Sequence, residues 1–257
     1  MKPLLLIAGP CAIENDVTPY QVAEEVQKIC ADLGIEFVFK SSYKKANRTS
    51  IQSFKGIDHQ VAMQILKGVK EQYNVPVLTD VHETIEVEEV AAVADYLQIP
   101  AFLCRQTDLL IAAGKTGKVV NVKKGQFSSP ESMQHAVEKV RSTGNQKVML
   151  TERGTTFGYQ DLVVDFRSVP IMQSFGVPVI LDATHSLQQP NQSSGVTGGL
   201  PHLIETISKA GIAAGIDGLF IETHPNPSEA LSDGKNMLPL HQLRPLLEKC
   251  LRIREVL

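Results

Sequence analysis

The stretch Val119-Val120-Asn121-Val122-Lys123 is a short, largely apolar run that ends in a charge, and the chain returns to that plan repeatedly. Similar runs lie at Leu4 to Ala8, Glu36 to Lys40, Pro76 to Val81, Tyr96 to Ile99, Lys147 to Thr151, Val177 to Asp182 and Gly218 to Glu222, eight in all. Most are nearly continuous in Val, Ile, Leu and Phe rather than alternating, as expected for parallel strands covered on both faces. The segments between them have a helical period. Val22, Val26, Ile29 and Leu33 form one stripe, and further helices are expected to begin near Ser129-Pro130-Glu131 and at Pro201, where proline suits a first turn. Eight strand-helix units in 257 residues predict an α/β fold, a (β/α)8 TIM barrel with 1–257 as a single domain. A doubly wound sheet is the alternative. It is disfavoured because no GxGxxG follows the first run and no linker or composition shift marks a second domain.

Hydrophobic residues make up 43% of the chain and charged residues 21%, which supports a large core and excludes disordered, collagen-like and coiled-coil classes. A formal net charge of -3 argues against nucleic acid or anionic membrane as a partner, so any basic site must be local. Cys11, Cys30, Cys104 and Cys250 lie far apart without a CxxC pair, the usage of a reducing cytoplasm rather than of a disulfide scaffold or zinc ribbon. The apolar run Leu4 to Ile7 is too short for a signal peptide, and no segment nears the roughly 20 apolar residues of a membrane span. A cytoplasmic protein is expected.

In such a barrel the chemistry sits at the C-terminal ends of the strands and in the loops that follow. Read in order, those positions hold Cys11; then Lys40, Lys44, Lys45, Asn47 and Arg48; then Asp80; Arg105 and Gln106; Lys123, Lys124 and Gln126; Glu152 and Arg153; His185; and finally Glu222 and Asp233. The cations gather at one end of a negatively charged chain. Singly each reads as a solvated loop residue; together they suit phosphorylated small molecules, since Arg binds phosphate or carboxylate through paired donors and Lys adds a point charge. Cys11, His185, Glu222 and Asp233 come from the first, seventh and eighth units, which adjoin once a barrel closes. Thiolate, imidazole and carboxylate suit a divalent transition metal, although a buried thiol and a hydrogen-bonded loop histidine explain two of the four without one. His82, His224 and Arg167 could orient neighbours, Cys30 and Cys250 should pack on helices, and Cys104 is ambiguous. The polar, Gly/Ser-rich stretch Gln188 to Gly199 reads as a mobile lid on the catalytic face.

Longer motifs narrow the reading. Ile7-Ala-Gly-Pro-Cys-Ala-Ile-Glu14, Phe39-Lys-Ser-Ser42, Lys45-Ala-Asn-Arg-Thr-Ser50, Leu78-Thr-Asp-Val-His-Glu83, Phe102-Leu-Cys-Arg-Gln-Thr-Asp108 and Asn121-Val-Lys-Lys-Gly-Gln126 occupy the first half. Leu150-Thr-Glu-Arg-Gly-Thr-Thr-Phe-Gly-Tyr159, Asp182-Ala-Thr-His-Ser186, Ile221-Glu-Thr-His-Pro225 and Ala230-Leu-Ser-Asp233 continue to the end. Together they closely resemble the 3-deoxy-D-manno-octulosonate 8-phosphate synthase family. The resemblance implies a TIM-barrel homotetramer that condenses phosphoenolpyruvate with D-arabinose 5-phosphate, releases phosphate and feeds lipopolysaccharide biosynthesis. Cys11, where a metal-independent branch has Asn, resembles the metal-dependent branch, with Cys11, His185, Glu222 and Asp233 holding iron, zinc, manganese or cobalt.

Carried over by position, the resemblance gives phosphoenolpyruvate to Lys45, Gln106, Lys123 and Arg153, with Lys40 and Gln126 nearby. The pentose phosphate falls to Asn47, Arg48, Thr49 and Asp80, with Arg105 reaching the sugar phosphate of a neighbouring subunit. Lys45, Asn47, Asp80, Lys123 and His185 form the implied catalytic set. The first strand lies close to Met1, which leaves little room for the hairpin that closes the barrel bottom in some members. Two rivals stand beside this reading. The related heptulosonate 7-phosphate synthases carry Lys-Pro-Arg-Thr where this chain has Lys45-Ala46-Asn47-Arg48-Thr49, and a barrel that only senses a phosphorylated ligand should have lost chemistry residues that are all present here.

Overall fold

The computed structural model describes residues 2–48, 50–189 and 198–257, and every predicted run forms a strand within two residues of its expected bounds. The strands are β1 (Leu5–Gly9), β2 (Glu36–Lys40), β3 (Val77–Asp80), β4 (Tyr96–Ile99), β5 (Val119–Lys123), β6 (Val148–Glu152), β7 (Val179–Asp182) and β8 (Gly218–His224). They pair in parallel in chain order. β8 returns to β1 in the register Leu5 opposite Gly218 through Gly9 opposite Glu222, so the sheet closes and leaves no barrel edge. Gly9 permits that closure on its other side, because a Cβ there would strike the backbone carbonyl of Lys40.

Helices α1 (Thr18–Leu33), α2 (His59–Tyr73), α3 (Val87–Val93), α4 (Thr107–Lys115), α5 (Met133–Arg141), α6 (Ser168–Gln173), α7 (Ile204–Ala213) and α8 (Leu243–Arg254) follow the strands. α1 has proline in its first turn, buries Val22, Val26, Ile29 and Cys30, and stops at Gly34, whose φ of 66° suits a residue without a Cβ. Asp58 caps α2 by accepting from the backbone N–H groups of Gln60 and Val61. α5 starts at Met133, a few residues after the expected Ser129-Pro130-Glu131, which instead forms a preceding turn. Cys30 and Cys250 pack on α1 and α8 as expected, and all four cysteines are free and buried. Among the described residues, no helix is long and apolar enough to cross a membrane.

Side chains alternate along each strand, so every second residue points into the barrel. The lower interior is apolar: Ile7, Val38, Leu78, Met149, Ile180 and Phe220 form one cluster, with Leu5, Tyr96 and Val119 packed against it. Above it the same inward rows turn polar, through Lys40, Asp80, Gln98, Asn121, Thr151, Asp182 and Glu222, all buried. The larger core fills the space between barrel and helices.

Candidate active site

The inward rows open at the C-terminal ends of the strands into a cleft of about 530 Å³. Lys40, Lys44, Lys45, Asn47 and Arg48 line it from β2 and its loop; Asp80, His82 and Gln98 from β3 and β4; Lys123, Gln126 and Arg153 from β5 and β6; His185 and Asp233 from the units of β7 and β8. Most of the residues expected from sequence thus share one cavity.

At its floor the ligand atoms of Cys11, Glu222 and Asp233 lie within 4.8 Å of one another. His185 Nε2 stands 3.6 Å from Glu222 Oε2 and 3.8 Å from Asp233 Oδ2. The other ring nitrogen donates to Asp182 Oδ2 at 2.8 Å, which fixes the imidazole so that Nε2 faces the cluster. Glu222 Oε2 is buried and has no hydrogen-bond partner among the described residues. An orphaned carboxylate oxygen is costly without a cation, so this donor set fits a divalent metal. Burial and the nearby Glu222 carboxylate push the Cys11 thiol well above its ordinary range, and the thiol donates to Ser232 Oγ at 3.3 Å. A bound cation would supply the charge that makes it a thiolate.

The cationic side of the cleft consists largely of compensated pairs. Lys40 Nζ donates to Glu222 Oε1 at 2.7 Å and to the Cys11 carbonyl at 3.1 Å. Burial resists charge on Glu222, but Lys40, His185 and Lys45 hold its carboxyl down at about 2. Lys123 Nζ donates to Asp182 Oδ2 at 2.5 Å, and Asp182 also accepts from the backbone N–H groups of Thr184 and His185. Burial lowers the Lys123 pKa in spite of Asp182, while Asp182, buried too, is held far below the carboxylate range by His185 and Lys123. Arg153 is different. Its Nη2 donates to Gln188 Oε1 at 2.7 Å, but Nη1 is buried with no partner among the described residues. An unpaired guanidinium nitrogen and the ammonium of Lys123 in one cleft make a site for an oxyanion.

Across the cleft, Asp80 accepts from Gln98 Nε2 at 2.6 Å and from Ser42 Oγ, whose oxygen in turn accepts from Lys45 Nζ at 3.2 Å. Burial alone would favour the neutral acid, yet Lys40, Lys45 and His82 keep Asp80 ionised far below its usual range. Burial likewise opposes charge on Lys45, but Cys11, Glu222, Asp233 and Asp80 raise its pKa. Arg48 Nη1 donates to the carbonyls of Ile51 and Ser53, which holds the guanidinium at the rim.

Some expected residues lie elsewhere. Arg105 and Gln106 are exposed; Gln106 precedes α4, and Arg105 lines a second cleft beside α5 rather than the central one. Thr49 and residues 190–197 of the expected lid fall outside the described residues; the lid's ends, Gln188–Gln189 and Gly198–Gly199, pair antiparallel. Lys124 points away from the cleft. It is buried against Glu152 at 3.4 Å and donates to the carbonyls of Gly125, Ser128 and Gly154, tying the loops after β5 and β6. Arg167 pairs with Asp165 at the surface, and His224 accepts from the Asn226 backbone within its own loop.

Sequence reasoning assigned no role to Asp182, Glu86 or Gln98. Glu86 accepts from Lys44, from Tyr43 Oη at 2.8 Å and from the His82 backbone at 3.2 Å, and so braces the β2 and β3 loops. Asp182 carried a usable signal, since a carboxylate closing an apolar strand three residues before a histidine must find a partner.

The profile of the DAHP synthetase I family matches residues 2–255. Among curated proteins, the 2-dehydro-3-deoxyphosphooctonate aldolase of Desulfotalea psychrophila is 54% identical over 253 residues, covering 98% of this chain and 90% of the relative. The protein of the same name from Koribacter versatilis is 54% identical over 255 residues, 98% and 91% of the two chains. That from a Cyanothece species is 52% identical over 256 residues, 100% and 94%.

Proposed function

The chain belongs to the DAHP synthetase I family, and from that premise we propose that it condenses phosphoenolpyruvate with D-arabinose 5-phosphate to give 3-deoxy-D-manno-octulosonate 8-phosphate and phosphate. It is an enzyme of the transferase type, acting on small molecules, and its relatives bear the name of this activity. The observation that carries the reading is Arg153, buried with an Nη1 that has no partner among the described residues, in the cleft that Lys123 also lines. Two mutually repelling anions must be brought within bonding distance, and fixed cations do so by positioning and by charge stabilisation.

Lys123 and Arg153, with Lys40, Lys45, Gln106 and Gln126, hold phosphoenolpyruvate. Asn47, Arg48, Thr49 and Asp80 hold the pentose phosphate, and Arg105 serves the site of a neighbouring subunit in a homotetramer. The C3 carbon of phosphoenolpyruvate attacks the aldehyde carbon, water adds at C2, and phosphate leaves as the carbon-oxygen bond breaks. Cys11, His185, Glu222 and Asp233 would hold one divalent transition metal (iron, zinc, manganese or cobalt), which would supply Lewis acidity for the sugar carbonyl or the water. Residues 1–257 act as one catalytic domain in the cytoplasm, and the product serves lipopolysaccharide biosynthesis.

Phosphate release, measured with phosphoenolpyruvate and a panel of aldose phosphates, tests the reading. Arabinose 5-phosphate should be strongly preferred to erythrose 4-phosphate, because a shorter sugar leaves polar site groups unpaired at about 1–3 kcal/mol each. Equal kcat/KM for the two sugars overturns it.

A further inference from the structure

Inside the barrel, one chain of hydrogen bonds runs across five consecutive strand units. Thr151 Oγ1 donates to Asn121 Oδ1 at 2.7 Å, Asn121 Nδ2 to Gln98 Oε1 at 3.0 Å, and Gln98 Nε2 to Asp80 Oδ1 at 2.6 Å. From the other side Ser42 Oγ donates to Asp80 Oδ2. The register sets this belt in place: Asp80 lies opposite Gln98 and Gln98 opposite Asn121, with all three side chains inward. Thr151 and Asn121 are fully buried and do not line the cleft, so a ligand cannot be the reason for their polarity.

The belt has one possible direction. An ionised carboxylate only accepts, so Gln98 must present its NH2 group to Asp80. Its carbonyl oxygen then needs a donor, which Asn121 supplies through its own NH2 group. The oxygen of Asn121 is thereby turned to β6, where the Thr151 hydroxyl is the terminal donor. Without that donor a buried amide oxygen is left unpaired, and the amides above it relieve the cost by turning toward the wet cleft. A stability role alone does not require such a layer, because barrel interiors are ordinarily filled by apolar side chains, as the layer just below is.

We infer that Thr151 and Asn121 are positioning residues for the pentose phosphate: through Gln98 they fix the plane of the Asp80 carboxylate, so that its remaining lone pairs meet a sugar hydroxyl. This rests on the reading that Asp80 binds the pentose phosphate. Because Asp80 is ionised, that contact is acceptor-only. A hydroxyl can satisfy it, and a carbonyl or a deoxy position cannot.

Steady-state kinetics with both substrates varied, on Thr151→Val, Thr151→Ser, Asn121→Leu and Asp80→Ala, test the inference. Thr151→Val keeps the shape and removes the donor. It should raise the KM for the pentose phosphate about threefold, and Asn121→Leu about tenfold, the scale of one lost hydrogen bond, with the KM for phosphoenolpyruvate unchanged. Thr151→Ser restores the hydroxyl and should restore the KM. Thr151→Ala replaces the valine variant if that one does not fold. If Asp80→Ala leaves the pentose phosphate KM unaltered, the reading of the site falls and takes the inference with it. If Asp80→Ala raises that KM while the Thr151 and Asn121 variants leave it alone, or move both KM values together, the site reading stands and the belt is only structural.

Discussion

Asp182→Asn removes one charge from the most heavily shared carboxylate of the site. Oδ2 accepts from Lys123 at 2.5 Å and from His185 Nδ1 at 2.8 Å, whereas Oδ1 accepts from the backbone N–H groups of Thr184 and His185. Asparagine can keep its oxygen on the two backbone donors, so the loop after β7 should hold; its NH2 group then faces Lys123 and His185, which both donate. Breaking a buried pair by deleting one partner costs about 3–5 kcal/mol, and the surviving backbone bonds put this case near the lower end, ~3 kcal/mol at neutral pH. The sign of the pH dependence follows from Lys123. Burial already lowers its pKa and Asp182 is the chief opposing influence, so the variant's lysine falls further. A base with a lowered folded-state pKa destabilises fully below that pKa and ceases to do so as pH rises toward its unfolded value of about 10.4. The difference from wild type in urea unfolding should therefore grow from pH 9 to pH 6. The KM for phosphoenolpyruvate should rise most at high pH, where Lys123 is neutral. Adding Lys123→Met should recover most of the lost stability and none of the activity. A difference under about 1 kcal/mol at every pH, with a pH-independent KM, refutes the reasoning.

Arg48→Ala should raise the KM for the pentose phosphate and Arg153→Ala that for phosphoenolpyruvate, each about ten- to a hundredfold for a lost charge-assisted contact; one shared KM effect means that the site is wrongly divided. Prolonged chelation should abolish activity, which a divalent transition metal then restores, and Cys11→Ala or His185→Ala should lower metal content in elemental analysis; full activity in metal-free protein contradicts this. Cys11→Asn should retain activity without metal. Glu86 is resisted by burial but held at about 2 by Lys44, Tyr43 and the His82 backbone, so its stabilisation is present above its unfolded value and lost as pH falls toward 2. Allowing for the partly exposed Lys44, Glu86→Gln should cost about 1–2 kcal/mol near pH 6 and flatten the acid limb of an unfolding profile; parallel profiles refute this.

The eight strands were legible because parallel strands covered on both faces must be apolar throughout. The cluster of Cys11, His185, Glu222 and Asp233 was legible once the first and last strands were taken as neighbours. The belt was not. Asn121 and Thr151 sit within apolar runs, where a lone polar residue reads as tolerance, and their meaning appears only with the inter-strand register. Sequence sets Lys124 beside Lys123 and so among the cleft cations, yet successive residues of an extended chain face opposite ways, and Lys124 follows directly on β5. Gln106 stood at a strand-end position, but the turn after β4 leaves it at the surface. Glu86 reads as an ordinary exposed helix residue until the loops of β2 and β3 are brought together over it.

The pairing of three cleft lysines with internal carboxylates also bears on how substrate arrives. Lys40 with Glu222, Lys123 with Asp182 and Lys44 with Glu86 are near-neutral units when viewed from several ångströms away. Such dipoles fall off steeply with distance, so these three lysines exert little pull on an anion in bulk solvent, and attraction at long range falls to cations without a carboxylate partner, such as Arg48 at the rim. Added salt should then slow diffusive capture through Arg48 more than through the paired lysines, whose interactions lie where counter-ions do not reach.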